Sequence, residues 1–286
     1  MPLVNRLLHQ AGRDLGSAAE ARLLLAHACG QPVTGLLARV DVSPDEAIRF
    51  AELVARRREG QPVQYVTGEA AFRTITVSVG PGVFIPRPET EVMTGWALDR
   101  LREMTESGLV PRVVELCAGS GAISAAVAAE LPGCDQYAVE LSAEALAFAE
   151  RNLAGTGVAL VAGDMADALP WLNGRVDVVL ANPPYIPLVE FEAVAVDVRE
   201  HEPALALFSG EDGLDALRVV ASVASRLLRP GGIVCAEHAD SQGEAAVELF
   251  VERSAFTRVR DNQDLTGRSR FITAIRADRP AGRMGA

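Results

Sequence analysis

Residues 176–187 read VDVVLANPPYIP. The first half is an almost unbroken apolar run with several β-branched residues, which is typical of a strand buried on both faces of a parallel sheet. Pro183 and Pro184 end this run because neither can donate a hydrogen bond to a neighbouring strand. An amide side chain, two rigid residues and the ring of Tyr185 therefore follow directly on a predicted buried strand.

Strands and helices alternate from residue 112 onward. Strands are predicted at 112–116, 135–140, 158–162, 176–181, 232–237, 256–260 and 270–276, and helices at 121–131, 142–153, 215–228 and 242–252. This alternation indicates an α/β domain with a mostly parallel sheet covered by helices on both faces. In such sheets, ligands bind beyond the carboxyl ends of the strands, near the point where the strand order reverses.

The N-terminal part is predicted to be a small helical domain, residues 1–67. Ser17 with Glu20, and Ser43 with Glu46, have the spacing of a capping box at a helix start. Residues 68–90 are predicted to form a β-hairpin linker with a turn at 80–82, where the sequence is Gly-Pro-Gly. The α/β domain then spans 91–278, and 279–286 is predicted to be a flexible tail.

Composition narrows the classes of function. The 286 residues carry a formal net charge of −11, which argues against a strong nucleic-acid-binding surface and fits a partner with a basic surface. The four cysteines show neither metal-ligand spacing nor a disulfide framework, so we expect reduced thiols, no metal and a cytoplasmic protein. We see no signal peptide and no stretch of membrane-spanning length, and we expect a monomer.

The loop after the first strand of this domain, Cys117-Ala118-Gly119-Ser120-Gly121, is typical of a turn that lets a ligand approach the backbone. A dinucleotide fingerprint is absent, and the nearby acid Glu115, interpreted as lying at the strand start, favours a ligand with positive charge. Glu140 ends the second strand and can accept both hydroxyls of a ribose; alone, it could equally be an exposed strand-end acid. Asp164 can accept from an adenine amino group or cap the next helix, and Met165 can cover the ring. Together these residues favour S-adenosylmethionine over NAD.

The residues that follow 176–181 suit a planar nitrogen as methyl acceptor. Such a nitrogen offers N–H donors, which Oδ1 of Asn182 and the carbonyl of Pro183 can accept. Pro183 and Pro184 hold these acceptors in place, and Tyr185 can lie against the planar group. Proximity and desolvation then supply most of the rate, without a strong general base.

Several motifs resemble the HemK/PrmC family, the glutamine-N5 methyltransferases of peptide-chain release factors. The motifs are 62-PVQYVTGEAAF-72, 84-FIPRPETE-91, 115-ELCAGSGAI-123, 182-NPPYIP-187, 202-EPALALFSGEDGLD-215 and 237-EHADSQG-243. The resemblance covers residues 17–276. In three places the sequence departs from the usual family pattern, with Cys117-Ala118 opening the glycine loop, Glu140 as the ribose acid and Met165 after the third-strand acid.

The resemblance implies a class I Rossmann-like methyltransferase domain of seven strands, the last one antiparallel, after a helical N-terminal domain that helps to bind the substrate. It implies methyl transfer to the glutamine of a Gly-Gly-Gln motif in class 1 release factors. The residues implied to bind the cofactor are Cys117, Ala118, Gly119, Ser120, Gly121, Glu140, Asp164, Met165 and Asn182. Those implied for catalysis or for substrate binding are Asn182, Pro183, Pro184, Tyr185, Arg87, Pro88, Glu89 and Thr90.

Other interpretations stay open at this point. A DNA or RNA amino-methyltransferase shares the Asn-Pro-Pro-Tyr motif but should add a basic face, and another protein glutamine, such as one in a ribosomal protein, is a further acceptor. A non-catalytic adaptor could keep the fold without binding the cofactor. His201 and His238 are expected to be solvated or structural, and Arg56–Arg58 to interact with a helix dipole. The segment 188–214 is expected to border the substrate cleft.

Overall fold

The computed structural model describes residues 3–278; the predicted flexible tail at 279–286 lies outside the described residues. Contacts divide the chain into two compact units. The first contains the described residues up to Glu69 with Val79–Pro81 and Ala195–His201, and the second contains Ala70–Ser78, Gly82–Val194 and the described residues from Glu202 onward. The predicted domain boundaries, at 67 and at 90, stay predictions.

The α-helices of the described part are α1 (Leu3–Asp14), α2 (Ala18–Ala28), α3 (Pro44–Arg58), α4 (Val63–Thr67), α5 (Pro88–Glu106), α6 (Ala122–Glu130), α7 (Ala143–Leu153), α8 (Val196–His201), α9 (Ala204–Leu207), α10 (Asp215–Leu227) and α11 (Gly243–Glu252). Short 3-10 helices lie at Val33–Ala38, Pro170–Leu172, Leu188–Ala193 and Asp240–Gln242. Within residues 3–278, every helix is too short or too polar to span a bilayer.

The strands are β1 (Glu69–Phe72), β2 (Ile75–Ser78), β3 (Arg112–Leu116), β4 (Asp135–Glu140), β5 (Ala159–Ala162), β6 (Val176–Ala181), β7 (Leu228–Glu237), β8 (Phe256–Gln263) and β9 (Ser269–Arg276). β3 to β9 form one sheet in the order β5-β4-β3-β6-β7-β9-β8, in which β9 alone runs opposite to the other six strands. This confirms the predicted seven-stranded, mostly parallel sheet with an antiparallel last strand.

The first unit has its own apolar core, which includes Leu24, Leu25 and Phe50. Ser43 forms the predicted capping box with Glu46 at the start of α3. At α2, Ser17 Oγ accepts from the Glu20 backbone N–H at 3.2 Å, but the Glu20 carboxylate accepts from Arg57 Nε at 2.8 Å. The predicted capping box is therefore only half formed, and the predicted bond from the Ser17 backbone N–H to the Glu20 side chain is wrong. The Glu20 carboxylate binds Arg57 instead, because a guanidinium is a stronger donor than a backbone N–H.

The arginines at the end of α3 also have partners inside this unit. Arg56 donates to the carbonyl oxygens of Tyr65 and Val66 at 3.3 and 3.2 Å. Arg57 adds a bond to the Gln61 carbonyl oxygen at 3.3 Å. These two side chains tie α3 to the segment that follows it, which is a structural task beyond the expected interaction with the helix dipole.

The hairpin turns at a different place from the one predicted. β1 and β2 are joined by Arg73 and Thr74, whereas Gly80-Pro81-Gly82 follows the end of β2. Arg73 has a left-handed backbone, with φ of 52°, which a non-glycine residue adopts at a cost. Its guanidinium is held by Glu130 at 2.6 and 2.8 Å and by the Glu91 carbonyl oxygen at 2.9 Å, and this fixes the turn at Arg73.

The core of the sheet is apolar on both faces, as the run at 176–181 predicts. All six residues of β6 are buried, and β6 lies between β3 and β7.

The one charged residue of β6, Asp177, lies near the start of this strand. Its carboxylate accepts from Arg229 Nε at 2.5 Å and from the Arg112 backbone N–H at 2.7 Å, so its buried charge is paired.

Candidate active site

The carboxyl ends of four adjacent parallel strands lie at one edge of the sheet. Leu116 at the end of β3 pairs with Ala181 at the end of β6, and Glu140 at the end of β4 pairs with Ala162 at the end of β5. The strand order reverses here, because β4 and β5 lie on one side of β3 and β6 and β7 on the other. The loops that begin at Cys117 and Asn182 therefore leave the sheet at its topological switch point.

The loop Cys117–Gly121 depends on left-handed backbone at three positions. Cys117, Gly119 and Gly121 have φ of 57°, 55° and 74°. A Cβ on Gly121 would lie 3.1 Å from Cγ of Leu153, so α7 packs closely against this end of the loop. A Cβ on Gly119 would meet nothing within 4 Å, so the middle of the loop borders open space. A ligand can approach the backbone there.

Glu140 is fixed beside this loop. Its side chain is buried, with Oε2 accepting from the Gly119 backbone N–H and Oε1 from the Ser142 backbone N–H, each at 2.7 Å. Each carboxylate oxygen keeps a further lone pair for another donor. Glu140 is thus held in one orientation. Its side chain is one methylene longer than that of an aspartate, and these two backbone contacts fix the longer side chain in place.

The other loop residues are structural neighbours of this site. The Ala118 backbone N–H donates to the Val139 carbonyl oxygen at 3.0 Å, which ties the loop to β4. The Ser120 carbonyl oxygen accepts from Asn152 Nδ2 at 2.9 Å, and the Ser120 side chain is buried. These two residues shape the loop, and their contact with the cofactor stays a prediction.

Asp164 and Met165 follow the end of β5. Asp164 is exposed, and its Oδ1 accepts from the Ala166 backbone N–H at 2.8 Å, so it closes a tight turn rather than capping an α-helix. Met165 Sδ lies 3.6 Å from Cys117 Sγ, and Met165 is half-buried. The two sulfur atoms form a soft apolar surface between the glycine loop and the turn. Burial raises the pKa of the Cys117 thiol, so the thiol stays neutral.

Glu115 has a different place from the one inferred from the sequence. It lies near the carboxyl end of β3 rather than at its start, and it is 2% exposed. Its Oε2 accepts from the Ser124 backbone N–H at 2.8 Å and from the Ser124 hydroxyl, which links β3 to α6. Burial raises the pKa of Glu115 to about 8, so this carboxyl group is mostly neutral at pH 7. Glu115 therefore does not support the inference that the ligand carries positive charge.

Asn182 is held by a buried side chain of α5. Its Nδ2 donates to Thr90 Oγ1 at 3.0 Å, and Thr90 Oγ1 donates to Glu237 Oε2 at 2.7 Å. Thr90 and Glu237 are only 3% and 1% exposed. Thr90 was expected to contact the substrate, but its hydroxyl proton is committed to Glu237. Direct substrate binding by Thr90 stays a prediction that this arrangement does not favour.

Tyr185 joins the same group of residues. Its hydroxyl donates to Glu237 Oε1 at 3.3 Å, so both oxygens of Glu237 accept from residues of the predicted site. Burial, and next the charge of Glu237, raise the pKa of the Tyr185 phenol, which therefore stays protonated. Pro183 is buried and Pro184 half-buried, which keeps the segment between Asn182 and Tyr185 rigid.

A second set of contacts fixes the chain beyond Tyr185. Gln242 Nε2 donates to the carbonyl oxygens of Tyr185 and Asp212 at 2.9 and 3.0 Å, and its Oε1 accepts from the Ala239 backbone N–H at 2.9 Å. Gly213 lies against the same point: a Cβ there would be 2.2 Å from the Tyr185 carbonyl oxygen. Gly213 and Gln242 had no predicted role, although both lie in motifs of the resemblance.

Arg87 is anchored to a buried acid. Its guanidinium forms an ion pair with Glu202, whose side chain is 1% exposed, and Glu202 Oε2 also accepts from the Ile85 backbone N–H at 3.2 Å. The guanidinium carbon lies 4.6 Å from the centre of the Phe84 ring. Pro88, the first residue of α5, is exposed, and Glu89 is half-buried. Contact of these three residues with a substrate stays a prediction.

The histidines lie outside this group of side chains. His238 is buried, with Nδ1 2.8 Å from the Ala239 carbonyl oxygen and Nε2 3.2 Å from Asp261 Oδ1. Burial lowers its pKa. Its role is therefore structural, as expected. Among residues 3–278, no group of three or more His, Cys, Asp and Glu side chains could hold a metal ion.

Comparison with known proteins places the chain in a family. The PrmC N-terminal domain matches residues 4–68, and the methyltransferase small domain matches residues 75–198. A release factor glutamine methyltransferase of Streptomyces coelicolor is 51% identical over 229 residues, covering 80% of this chain and 81% of that protein. The chain belongs to the release factor glutamine methyltransferase family. The relative of the same name in Mycolicibacterium smegmatis is 42% identical, with 91% of each chain covered.

Two other similarities bear on the fold and the acceptor. The 4-amino-L-phenylalanine/4-methylamino-L-phenylalanine methyltransferase of Streptomyces pristinaespiralis is 42% identical, covering 81% of this chain and 79% of that protein. The solved hMettl16 catalytic domain, in complex with MAT2A 3'UTR hairpin 6, has a TM-score of 0.53 at 13% identity, with 84% of each chain covered. This second likeness supports the Rossmann-like methyltransferase fold alone.

Membership of the family makes this chain an S-adenosylmethionine-dependent methyltransferase, and the residues present fit that cofactor. The open space over Gly119 gives a ligand access to backbone, and Glu140 has lone pairs for hydroxyl groups beside it. We propose that Glu140 binds the ribose, that Asp164 and Met165 bind the adenine, and that the loop Cys117–Gly121 binds the amino acid part. When bound, the cofactor supplies an electrophilic methyl group on a sulfonium.

Replacing Glu140 by glutamine is expected to weaken S-adenosylmethionine binding at least about tenfold. The Glu140 carboxylate accepts from the backbone N–H groups of both Gly119 and Ser142. A glutamine has one oxygen and one NH₂, so its NH₂ would face one of these two N–H donors. Titration calorimetry measures the affinity. Glu150→Gln is the matched control, because Glu150 is exposed on α7. Equal affinity for both variants and the unchanged protein would contradict the ribose assignment.

Proposed function

We propose that this protein transfers a methyl group from S-adenosylmethionine to N5 of the glutamine in the Gly-Gly-Gln motif of class 1 peptide-chain release factors. One observation carries the proposal beyond the family name. Asn182 Nδ2 is committed to Thr90, so Asn182 Oδ1 is the atom of this amide left to accept from a substrate N–H. A carboxamide acceptor offers two such N–H groups.

The acceptor nitrogen is a weak nucleophile because its lone pair is delocalised into the amide. Asn182 Oδ1 and the Pro183 carbonyl oxygen each accept one N–H of the glutamine, which directs the lone pair toward the methyl group. The Tyr185 ring covers the planar amide and excludes water. The residues thus contribute positioning and desolvation, and the amide proton leaves after the transfer.

The remaining features of the proposal follow from charge and from the first unit. We propose that the protein works in the cytoplasm as a monomer, without stable binding to nucleic acid or membrane. Its net charge of −11 favours a protein partner with a basic surface. The helical first unit would help to bind the release factor. Arg87, Pro88 and Glu89, which belong to the second unit, are proposed as separate substrate contacts, and the segment 188–214 would border the acceptor. Shortening that segment should reduce product formation.

A small aromatic amine is the second candidate acceptor. The relative from Streptomyces pristinaespiralis, named for 4-amino-L-phenylalanine, matches this chain about as well as one release factor enzyme does, at 42% identity for each. An arylamine nitrogen is also planar and bears two N–H donors, so the same two acceptors can hold it.

Parallel transfer assays with single acceptors separate these possibilities. The protein is incubated with S-adenosylmethionine carrying a labelled methyl group and one acceptor at a time: a class 1 release factor, the same factor with its motif glutamine replaced by alanine, a ribosomal protein, or 4-amino-L-phenylalanine. We expect label only in the intact release factor. Label in the arylamine, with none in the release factor, would overturn the proposal in favour of the second candidate.

A further inference from the structure

A continuous chain of hydrogen bonds connects Asn182 to an acid that the reaction itself does not need. Asn182 Nδ2 donates to Thr90, Thr90 donates to Glu237 Oε2, and Tyr185 donates to Glu237 Oε1, at 3.0, 2.7 and 3.3 Å. A second threonine on α5, Thr94, is also buried, but its hydroxyl donates to the Thr90 carbonyl oxygen at 2.8 Å and stays within the helix.

The direction of this chain decides which atom of Asn182 faces the acceptor. A hydroxyl has a single proton. When Glu237 is ionised, it can only accept, so Thr90 gives its proton to Glu237 and must accept from Asn182. Nδ2 then faces Thr90, and Oδ1 faces away from it. When Glu237 carries a proton on Oε2, it can donate to Thr90, and Thr90 is free to donate to Oδ1.

We propose that Thr90 and Glu237 are positioning residues that orient the Asn182 amide, with the ionised Glu237 carboxylate holding Oδ1 toward the acceptor nitrogen. A flipped Asn182 would present NH₂ to the N–H groups of the acceptor, and because two donors form no hydrogen bond, the acceptor nitrogen would lose its alignment while the rest of the substrate stays bound. The same carboxylate holds the Tyr185 hydroxyl. The acid thereby keeps both sides of the predicted amide pocket in place, through residues that it contacts directly.

The groups around Glu237 set how readily it ionises. Burial raises the pKa of Glu237 to about 7, against the lowering effects of Thr90, of the Arg270 charge and of Tyr185, while the charge of Glu89 raises it further. These groups come from α5, β9 and the loop after β6, the elements that face the carboxylate. Ionised and neutral forms therefore coexist near neutral pH, and raising the pH increases the share of correctly oriented Asn182.

The first test replaces the threonine hydroxyl without changing the side-chain shape. Thr90→Val is expected to lower kcat about 30-fold and to change KM for the release factor less than about threefold, because the acceptor would bind beside a misoriented amide. Thr90→Ser keeps the hydroxyl and should restore most of the activity. Thr94→Val is the matched control, on the same helix and equally buried, and should change kcat less than about twofold.

The second test uses pH and a double substitution. Activity of the unchanged protein should rise with pH through about 7, whereas Glu237→Gln, which cannot ionise in this range, should lose that rise. In an Asn182→Ala background, Thr90→Val should add almost no further loss, because its effect passes through Asn182. A full additional loss, or an unchanged pH profile in Glu237→Gln, would overturn the proposal.

A third test needs no acceptor and so separates this proposal from the proposed function, on which the transfer assays rest. The side-chain NH₂ signal of Asn182 is followed by NMR on protein labelled at asparagine. Its hydrogen exchange should be at least about tenfold slower in the unchanged protein and in Thr94→Val than in Thr90→Val. If the release factor is not methylated, the proposed function fails and this measurement still decides: equal exchange in all three proteins would refute the positioning role.

Discussion

Replacing Asn182 by alanine is expected to lower kcat for methyl transfer at least about 1000-fold, with less than about a tenfold loss of S-adenosylmethionine affinity. The substitution removes Oδ1, the oxygen that we propose accepts a hydrogen bond from the substrate nitrogen. In the unchanged protein, Asn182 Nδ2 donates to Thr90 Oγ1 at 3.0 Å, which holds this amide in one orientation. Steady-state kinetics with the release factor and titration calorimetry with the cofactor measure the two effects.

The control for this variant is Asn173→Ala. Asn173 precedes β6, and its Oδ1 accepts from Arg226 at 2.7 Å, so this variant also loses an asparagine hydrogen bond but far from the site. Its kcat should change less than about twofold. A similar kcat for Asn182→Ala and Asn173→Ala would contradict the assignment of Asn182 to the methyl acceptor.

Replacing Gly213 by alanine is expected to destabilise the protein by about 3–5 kcal/mol and to lower kcat at least about 100-fold. A Cβ at this position would lie 2.2 Å from the Tyr185 carbonyl oxygen and 2.5 Å from Gln242 Nε2. The first is backbone and cannot move alone, so the segment from Asn182 to Pro187 must shift. The positive φ of 77° adds strain.

Gly155→Ala separates the clash from the strain. Gly155 has nearly the same φ, 76°, but a Cβ there would meet nothing within 4 Å. We expect this control to lose about 1 kcal/mol and to keep its activity. Urea unfolding measures the free energies. If Gly213→Ala is no less stable than Gly155→Ala and equally active, the close contact between Gly213 and Tyr185 does not fix the segment from Asn182 to Pro187.

Much of the fold could be predicted because its signals are local. The buried run at 176–181 and the strand at 135–140 have the bounds that the structure shows. The hairpin turn was misplaced because Gly80-Pro81-Gly82 has a strong local turn signal, whereas the true turn at Arg73 depends on Glu130, which is distant in sequence. The spacing of apolar residues does not indicate an ion pair between residues that are distant in sequence, so this turn could not be predicted from it.

The predicted site residues of the two loops are brought to one sheet edge. The residues that hold them there through hydrogen bonds or close contacts were not predicted. Glu237 ends the predicted strand 232–237, next to β6, and this position was a usable signal for a role in the site. The task of Thr90 could not be read from the sequence, because it depends on the rotation of α5 about its own axis. Gly213 and Gln242 act through contacts with Tyr185, which lies far away in sequence.

The most direct test of the proposed reaction is to locate the methyl group by fragmentation mass spectrometry. A class 1 release factor is incubated with S-adenosylmethionine and either the unchanged protein or Asn182→Ala, and the peptide with the Gly-Gly-Gln motif is sequenced. We expect a single methyl group on the side-chain nitrogen of that glutamine, and none with the variant. An unmodified glutamine with the unchanged protein, despite bound S-adenosylmethionine, would contradict the proposed reaction.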